Sequence, residues 1–312
     1  MRKWLMRALL ALGWCGLLVG ITGIVLYSRG WRSEILSLAA SGASYLMLAA
    51  VVALLLFLIA RGWRSAVVAA VVTVAVAWTQ LPIFVPDGHA AGGTEIRVMQ
   101  SNLLFGEADV IAVAQHVDAR RVDVLTVQEL TEEIEPRLTA ALAAELPYHY
   151  LEPRYGGGGT GIYSRYPLRD TVRFDGFELN NLAAVMEHPQ RGPITIYDFH
   201  PVPPTANFPV WSDEMRRVRE ILDAQTGPAV VGADFNATRD HALFRDLLAG
   251  RWDSAAELAG AGPMPTWPND RPWGPVIGID HVLVADGGAG HAESVDIPGS
   301  DHRAVFAVLH LA

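Results

Sequence analysis

Three long runs of apolar residues without a charged side chain occupy the first part of the sequence, at positions 8–27, 35–60 and 66–85. A helix rises about 1.5 Å per residue, so each run is long enough to cross about 30 Å of hydrocarbon. Basic residues precede the first run, as in a secretory signal peptide, but its apolar stretch is longer than such peptides usually carry. We therefore predict an all-α anchor of three transmembrane helices over residues 1–86.

The basic residues beside these runs predict the orientation of the anchor. Five of them lie before the first run or between the second and third, and two lie between the first and second. Because short cytoplasmic loops carry the excess of Arg and Lys, we predict a cytoplasmic N-terminus. Three crossings then place the rest of the chain outside the cytoplasm.

The remainder of the chain has a different composition. Residues 95–312 contain 17 basic and 31 acidic side chains, a formal net charge of −14, and no lysine. We predict a linker over residues 87–94 and a globular domain over 95–312, which is long enough to bury a sizeable core. The single cysteine, Cys15, excludes a disulfide within the chain.

Short apolar runs in this domain predict eight strands, at residues 96–101, 122–127, 161–163, 182–186, 194–199, 229–232, 279–284 and 304–309. Helical periodicity predicts four helices, at residues 110–119, 133–145, 213–224 and 241–248. Several strands are continuous runs of Val, Ile and Leu, which is typical of strands covered on both faces. The mixture predicts an α/β domain with sheets inside and helices outside.

Polar side chains of catalytic type stand at the ends of the predicted strands: Asn102, Glu129, His200, Asp234, Asn236, Asp280, Asp301 and His302. A lone Asn or Asp in such a place usually serves a turn. The ends of neighbouring strands lie side by side, however, so we expect the whole set to meet in one cleft. Carboxylate and amide oxygens suit Mg²⁺ or Mn²⁺, and two His beside two Asp suit attack by water on phosphorus.

Seven motifs occur in the order SNLL, VQEL, GTGIYSRYPL, DFHP, GADFNAT, GIDHVLV and SDHRAV. This order resembles the endonuclease/exonuclease/phosphatase superfamily, which includes pancreatic-type deoxyribonucleases, apurinic endonucleases, bacterial sphingomyelinases and inositol polyphosphate 5-phosphatases. The resemblance spans residues 95–312 and implies a four-layered α/β sandwich with two packed mixed sheets. Together with the anchor, it is similar to a membrane-anchored bacterial branch, which implies a multi-pass protein of a bacterial cell membrane. The charge pattern above predicts that its catalytic domain is extracytoplasmic.

The resemblance also implies a role for each polar residue. Glu129 resembles the principal metal-binding carboxylate, with Asn102 and Asp301 also on the metal side. His302 resembles the histidine that contacts the scissile phosphate, and Asp280 the carboxylate that keeps it protonated. The other three positions resemble the residue that orients or deprotonates water, the one that holds the phosphate or nucleophile, and an additional phosphate contact or general acid: Asp234, Asn236 and His200, respectively.

Other residues near these motifs carry separate hypotheses. Leu104 stands where apurinic endonucleases have Asp, which argues against an abasic-site substrate. Strand alternation predicts that His281 points away from its neighbour Asp280. Trp267 is a hypothetical cleft residue, with an ordinary core aromatic as the alternative. Phe208 and Trp211 follow the His200 loop, and we hypothesise that they meet lipid.

Charge helps to separate the candidate substrates. A duplex nuclease normally presents a basic face, whereas this domain is acidic and its one arginine cluster, residues 216–219, falls on a predicted helix. We predict a Mg²⁺-dependent phosphoester hydrolase with a lipid or small extracytoplasmic substrate, bound to the bilayer by its three helices. An extracytoplasmic nuclease on DNA or RNA and a noncatalytic membrane binding protein stay open as alternatives. The sequence indicates no partner protein.

Overall fold

The structure, a computed structural model, describes residues 2–87 and 93–311. The chain divides into two compact units, residues 1–82 with 239–242, and residues 83–238 with 243–312. Residues 88–92 of the predicted linker lie outside the described residues. The first unit is largely helical, and the second contains two β-sheets.

Four helices make up most of the first unit: α1 (Arg2–Ser28), α2 (Glu34–Ala40), α3 (Ala43–Ile59) and α4 (Trp63–Gln80). Two helical stretches, residues 3–28 and 63–84, are long and apolar enough to cross a membrane, and the bent pair α2–α3 would add a third if it forms one span.

The helix that we predicted over residues 35–60 is interrupted, because α2 and α3 meet at an angle of 58°. The hydroxyl of Ser41 donates to the carbonyl of Leu38 (2.7 Å), and Gly42 adopts a non-helical conformation ahead of α3. A Gly/Ser pair is a common cause of a sharp kink.

Glycines on α1 let it pack closely on α3. A Cβ added at Gly20 would lie 2.7 Å from the Cβ of Ala50, whereas one at Gly16 would lie 3.3 Å from the carbonyl oxygen of Ala49. The Gly16–Gly20 pair therefore serves contact between two helices of this chain, as small residues at this spacing commonly do in membranes.

Within the described residues, the second unit holds twelve strands: β1 (Thr94–Asn102), β2 (Val124–Gln128), β3 (Tyr148–Glu152), β4 (Thr160–Ser164), β5 (Leu168–Arg173), β6 (Leu182–His188), β7 (Gly192–Phe199), β8 (Ala229–Asp234), β9 (Trp252–Ser254), β10 (Asp280–Ala285), β11 (Gly287–Val295) and β12 (Ala304–Leu311). They form two six-stranded sheets, ordered β11-β12-β1-β2-β4-β3 and β5-β6-β7-β8-β10-β9. The pairs β1–β2 and β7–β8 are parallel and the other pairs antiparallel, so both sheets are mixed, as expected.

The helices of the second unit are α5 (Val110–Arg120), α6 (Glu135–Leu142), α7 (Pro204–Ala224), α8 (Ala242–Leu247) and α9 (Ala255–Leu258). One apolar cluster fills the space between the sheets, a second joins the first sheet to α5 and α6, and a third joins the second sheet to α7 and α8. These clusters give the expected four layers of helices, sheet, sheet and helices.

Four strands were not predicted from the sequence: β3, β5, β9 and β11. They all lie at or beside a sheet edge, and β5 is largely exposed while β11 begins with glycines. Such strands lack the apolar runs that marked the central ones, and only their pairing partners define them.

Candidate active site

The predicted site residues gather at one end of the two sheets. The parallel strands β1 and β2 end at the register partners Asn102 and Gln128, and Glu129 follows directly. Strand β8 ends at Asp234, which pairs with Asp280 at the start of the antiparallel strand β10. The other four residues follow β7 or β8 or precede β12: His200, Asn236, Asp301 and His302.

Two site residues leave their strands through left-handed backbone, Glu129 at φ 58° and Asn236 at φ 50°. Such a conformation costs about 1–3 kcal/mol outside glycine and is concentrated at functional sites. After this turn, the Glu129 carboxylate accepts two hydrogen bonds, from the Phe105 backbone N–H (2.7 Å) and from the Asn102 side-chain amide (3.2 Å). Glu129 is therefore held in one orientation.

His302 and Asp280 form a buried ion pair, with Nδ1 of His302 2.9 Å from Oδ2 of Asp280. The backbone N–H of His302 donates to the Ser300 hydroxyl (3.0 Å), and that hydroxyl donates to the Asn102 carbonyl (2.8 Å). Burial by itself would lower the pKa of His302, but the charges of Asp280 and Asp234 raise it to about 10. The imidazole is therefore positively charged at neutral pH.

Asp234 lies at the centre of the group. Its Oδ2 accepts from the Asn102 amide (3.0 Å) and lies 3.7 Å from His200 Nε2 and 3.8 Å from His302 Nδ1. Burial, with the negative charge of Asp280, raises the pKa of Asp234 to about 6 although both imidazoles oppose the shift. A carboxylate with such a pKa is ionised at neutral pH and is still basic enough to accept a proton.

His200 and Asn236 make hydrogen bonds that hold the segments after β7 and β8 in place. The backbone N–H of His200 donates to the Asn181 side chain (2.8 Å), and the Asn236 side-chain amide donates to the Pro201 carbonyl (3.1 Å). Burial lowers the pKa of His200, with Asp234 opposing the shift. Its imidazole is therefore neutral in this structure.

Asp301 directs one carboxylate oxygen toward His302, with Oδ1 3.8 Å from Nε2 of the imidazole. Its Oδ2 accepts from the Trp267 indole N–H (3.0 Å), whereas Oδ1 is buried and has no hydrogen-bond partner among the described residues. Trp267 is 36% exposed and Phe105, beside Glu129, is 54% exposed. Exposed aromatic side chains thus adjoin two of the predicted metal ligands, and Trp267 is not an ordinary core aromatic.

Two sets of side chains in the site could hold a metal ion. The ligand atoms of Asp234, Asp280 and His302 lie within 4.8 Å of one another, but a protonated imidazole already bonded to Asp280 is a poor ligand. Glu129 and Asp301 offer carboxylate oxygens, and Oδ1 of Asp301 is buried without a hydrogen bond from any described residue. Their donor chemistry fits a hard cation such as Mg²⁺ or Mn²⁺.

The structure decides the hypotheses about neighbouring aromatic residues and His281. His281 points away from the site, as predicted, where its ring packs on Phe244 (centroids 4.0 Å apart) and its Nε2 contacts the Ala237 carbonyl (2.9 Å). The hypothesis that Phe208 and Trp211 meet lipid is wrong. Both side chains are buried in the apolar cluster under α7, and Trp211 is only 1% exposed.

Sequence reasoning missed three buried polar residues that lie in strands below the site: Gln100, Gln128 and Asp198. Gln100 stands two positions before Asn102, and Asp198 two positions before His200. Side chains two residues apart in a strand share a face. The sequence did contain a signal for these residues, because each is a polar residue at an inward-facing position of an otherwise apolar strand.

Comparisons with known proteins agree with this geometry. A family model described as the endonuclease/exonuclease/phosphatase family matches residues 99–302, a span that includes all eight predicted site residues. The chain belongs to this family. Endonuclease/exonuclease/phosphatase proteins are generally phosphoester hydrolases that use divalent metals.

Solved structures of the family share the fold of the second unit. TDP2 from D. rerio, complexed with a single-strand DNA product, is 14% identical with a TM-score of 0.58, covering 70% of this chain and 100% of that one. A family protein from Bacteroides thetaiotaomicron is 16% identical with a TM-score of 0.55, covering 70% and 99%. One from Beutenbergia cavernae is 18% identical with a TM-score of 0.53, covering 70% and 72%. No curated protein matches the sequence of this chain.

Proposed function

We propose that this chain is a metal-dependent phosphoester hydrolase in which water attacks a phosphodiester or phosphomonoester. The observation that carries the proposal is the charged His302–Asp280 pair (2.9 Å) beside the basic carboxylate of Asp234. Attack of water on phosphorus needs both, because negative charge develops on the phosphoryl oxygens while water loses a proton.

Glu129, Asp301 and Asn102 are the residues that we propose to hold Mg²⁺ or Mn²⁺. Asn102 orients the Glu129 carboxylate through its side-chain amide, and Oδ1 of Asp301 accepts no hydrogen bond from the described residues that would compete with a cation. When bound, the metal would polarise the phosphoryl oxygens of the substrate.

The remaining residues receive roles from their protonation and contacts. Asp234 orients the attacking water and accepts its proton, and the Asn236 backbone N–H (2.9 Å) holds the other Asp234 oxygen in place. His302 stabilises the charge that develops on the phosphoryl group. Asn236 holds the phosphate or the nucleophile with the second N–H of its amide, and His200 is a further phosphate contact.

The surroundings favour a small or lipid phosphoester over duplex nucleic acid. The domain carries a net charge of −14 and no lysine. The arginine cluster on α7 is engaged elsewhere, since Arg216 and Arg219 pair with Asp213 and Asp223, and Arg217 lies over the Phe177 ring. Exposed aromatic residues adjoin the metal side of the site instead. Binding to an organic group on the phosphate would therefore be largely apolar.

We also propose that the apolar helices anchor the protein in a bacterial cell membrane, as a multi-pass protein with its catalytic domain outside the cytoplasm. The two long apolar helices and the bent pair support the anchoring, and the charges beside them support the orientation. Such an anchor would keep the domain near lipid substrates.

A nuclease is the second candidate. The observation in its favour is the shared fold with TDP2 from D. rerio, which was solved with a single-strand DNA product. Divalent metal also changes the local field, so an acidic surface does not by itself prevent contact with a phosphate chain. A noncatalytic binding protein is the third alternative, and all eight polar residues of the site argue against it.

The test is hydrolysis by the full chain in detergent or in lipid nanodiscs. DNA, RNA, sphingomyelin, phosphatidylinositol and inositol phosphates are offered in one buffer, with Mg²⁺ or with EDTA. We expect hydrolysis of a lipid or small phosphoester that EDTA abolishes and Mg²⁺ or Mn²⁺ restores. Asp234→Asn should remove it, whereas Asp118→Asn, an exposed carboxylate on α5, should not.

Three other outcomes would each contradict a different part of the proposed function. Activity confined to DNA or RNA would favour the nuclease, and activity that persists in EDTA would exclude the metal mechanism. No hydrolysis of any substrate would favour the noncatalytic protein.

A further inference from the structure

Four buried side chains form a continuous chain of hydrogen bonds between the two sheets, directly below the site. The Gln100 amide donates to Oδ1 of Asp280 (2.8 Å) and to the Gln128 amide oxygen (2.6 Å). The Gln128 amide in turn donates to Oδ1 of Asp198 (2.6 Å), whose Oδ2 accepts from the Gly161 backbone N–H (3.1 Å). We call these four side chains, Asp198, Gln128, Gln100 and Asp280, the inter-sheet chain.

Strand alternation explains where the inter-sheet chain lies. Two residues before Gln100 and Asp198 on their strands stand the core residues Val98 and Ile196, and two residues after them stand the site residues Asn102 and His200. Because positions two apart share a face, the inter-sheet chain is a polar layer between the apolar core and the site.

The inter-sheet chain joins the sheets at two points. Gln100 on β1 reaches Asp280 on β10, and Gln128 on β2 reaches Asp198 on β7. Gly232 on β8 makes room for this layer, since a Cβ there would lie 2.2 Å from the Thr126 hydroxyl and 3.2 Å from the Gln100 Cβ.

Stability alone does not account for this layer. The Gln100 amide oxygen is buried without a hydrogen-bond partner among the described residues. Unpaired buried polar groups cost stability, and replacing a buried polar network with apolar residues is often neutral or stabilising. Because this layer lowers the stability of the fold, we look for its role in the orientation of the site residues above it.

We infer that Gln100, Gln128 and Asp198 are positioning residues that hold the Asp280 carboxylate with Oδ2 facing His302. Gln100 donates to Oδ1 of Asp280, and Oδ2 lies 2.9 Å from the imidazole. The Thr266 side chain also bonds this carboxylate. The ionised carboxylate of Asp280 only accepts hydrogen bonds, which sets the direction of the Gln100 amide. The inference deepens the proposed hydrolase function and rests on it.

The experiment compares Gln100→Met with Thr126→Val in the full chain. Gln100→Met keeps the length of the side chain and removes both donors. Thr126 is the register partner of Gln100 on β2, lies outside the inter-sheet chain, and has a buried hydroxyl without a hydrogen bond to any described residue. Thr126→Val removes this hydroxyl, so it is the matched control. We expect Gln100→Met to lower kcat about 10- to 100-fold with KM within about twofold, and Thr126→Val to leave both unchanged.

The effect should decline along the inter-sheet chain and depend on Asp280. Gln128→Met should lower kcat less than Gln100→Met, and Asp198→Asn least, because each is one hydrogen bond further away. In an Asp280→Asn background, Gln100→Met should add little. Equal losses with and without the Asp280 carboxylate, or an unchanged kcat in Gln100→Met, would overturn the inference.

A spectroscopic measurement separates this inference from the proposed function. The proton between His302 Nδ1 and Asp280 should give a downfield NMR signal in the wild-type chain and in Thr126→Val, and it should weaken or shift in Gln100→Met. This signal needs no substrate, so it tests the positioning role even if no phosphoester is hydrolysed. The same signal in Gln100→Met as in the wild type would contradict the role.

Discussion

At the residue scale, the two buried Asp residues nearest His302 differ in pKa although they are register partners on adjacent strands. Burial would raise the pKa of Asp280, but contact with charged His302 lowers it. Asp234 lies farther from that imidazole, and burial raises its pKa to about 6. Environments that push apart the pKa values of two neighbouring acids assign them different roles. Asp280 therefore keeps His302 charged, and Asp234 is the carboxylate that we propose as the base.

The first prediction concerns His302 and Asp280. His302→Ala should lower kcat about 10²–10³-fold, because it removes charge stabilisation that acts mainly in the transition state. Asp280→Asn should act in the same direction but less severely. Since the two act as a unit, the double variant should be only slightly worse than His302→Ala. Steady-state kinetics of the three variants decide this, and additive losses would show that the pair is not a unit.

The second prediction concerns the dependence of kcat/KM on pH. Activity should fall as pH drops through about 6, where Asp234 is protonated, and as pH rises through about 10, where His302 loses its proton. Asp280→Asn removes the anion that raises the pKa of His302, so the alkaline limb should move to lower pH. An alkaline limb unchanged in this variant would assign it to another group.

The same pKa shift affects stability. The pKa of His302 is higher in the folded chain, at about 10, than its ordinary value of 6.5. The stabilisation from its charged form is therefore complete below about pH 6.5. It is lost as pH rises toward the folded value, so thermal unfolding of His302→Ala and the wild type should converge at alkaline pH.

The third prediction concerns the metal. Glu129→Gln keeps the shape of the side chain and removes the charge that we propose binds Mg²⁺. The concentration of Mg²⁺ that gives half-maximal activity should rise several-fold or more, as for loss of a charged ligand or its support. Glu132→Gln, three residues away on the surface segment before α6, is the control. Equal metal titrations for the two variants would contradict the assignment.

At the element scale, two Gly-to-Ala changes on α1 provide the fourth prediction. A Cβ at Gly20 meets the Ala50 Cβ and backbone nitrogen at 2.7 and 2.8 Å, whereas one at Gly16 meets its nearest atom at 3.3 Å. Gly20→Ala should therefore cost about 1–3 kcal/mol more than Gly16→Ala in unfolding of the detergent-solubilised protein. The gain in helix propensity is common to both variants and cancels. Equal stabilities would show that α1 and α3 do not pack this closely.

At the scale of the whole molecule, the fifth prediction concerns orientation. The charge pattern predicts that the N-terminus lies in the cytoplasm and that the domain over residues 95–312 lies outside it. Protease added to intact cells should remove the domain and spare a tag at the N-terminus. A protected domain with a digestible N-terminal tag would reverse the orientation and point to a cytoplasmic substrate.

Much of the architecture was predictable from the sequence because its determinants are local. Long charge-free runs indicate helices at the front of the chain, and short Val/Ile/Leu runs indicate buried strands in the domain. The motifs around Asn102, Glu129, Asp234 and His302 indicated the family, because each motif combines a buried strand with a polar residue at one of its ends. The bend between α2 and α3 also has a local cause, the Ser41–Gly42 pair. We did not predict it because the whole segment is apolar.

Only the tertiary structure decided which polar groups meet and in what state. The positive charge of His302 depends on Asp280, 22 residues away, and the orientation of Asp280 depends on Gln100, 180 residues away. Packing likewise decides that Trp211, a residue of α7, is buried against the second sheet and that Trp267 is exposed beside Asp301. Hydrogen bonds and pKa shifts act over a few ångströms, and the two sheets, not the sequence spacing, bring these groups within that distance.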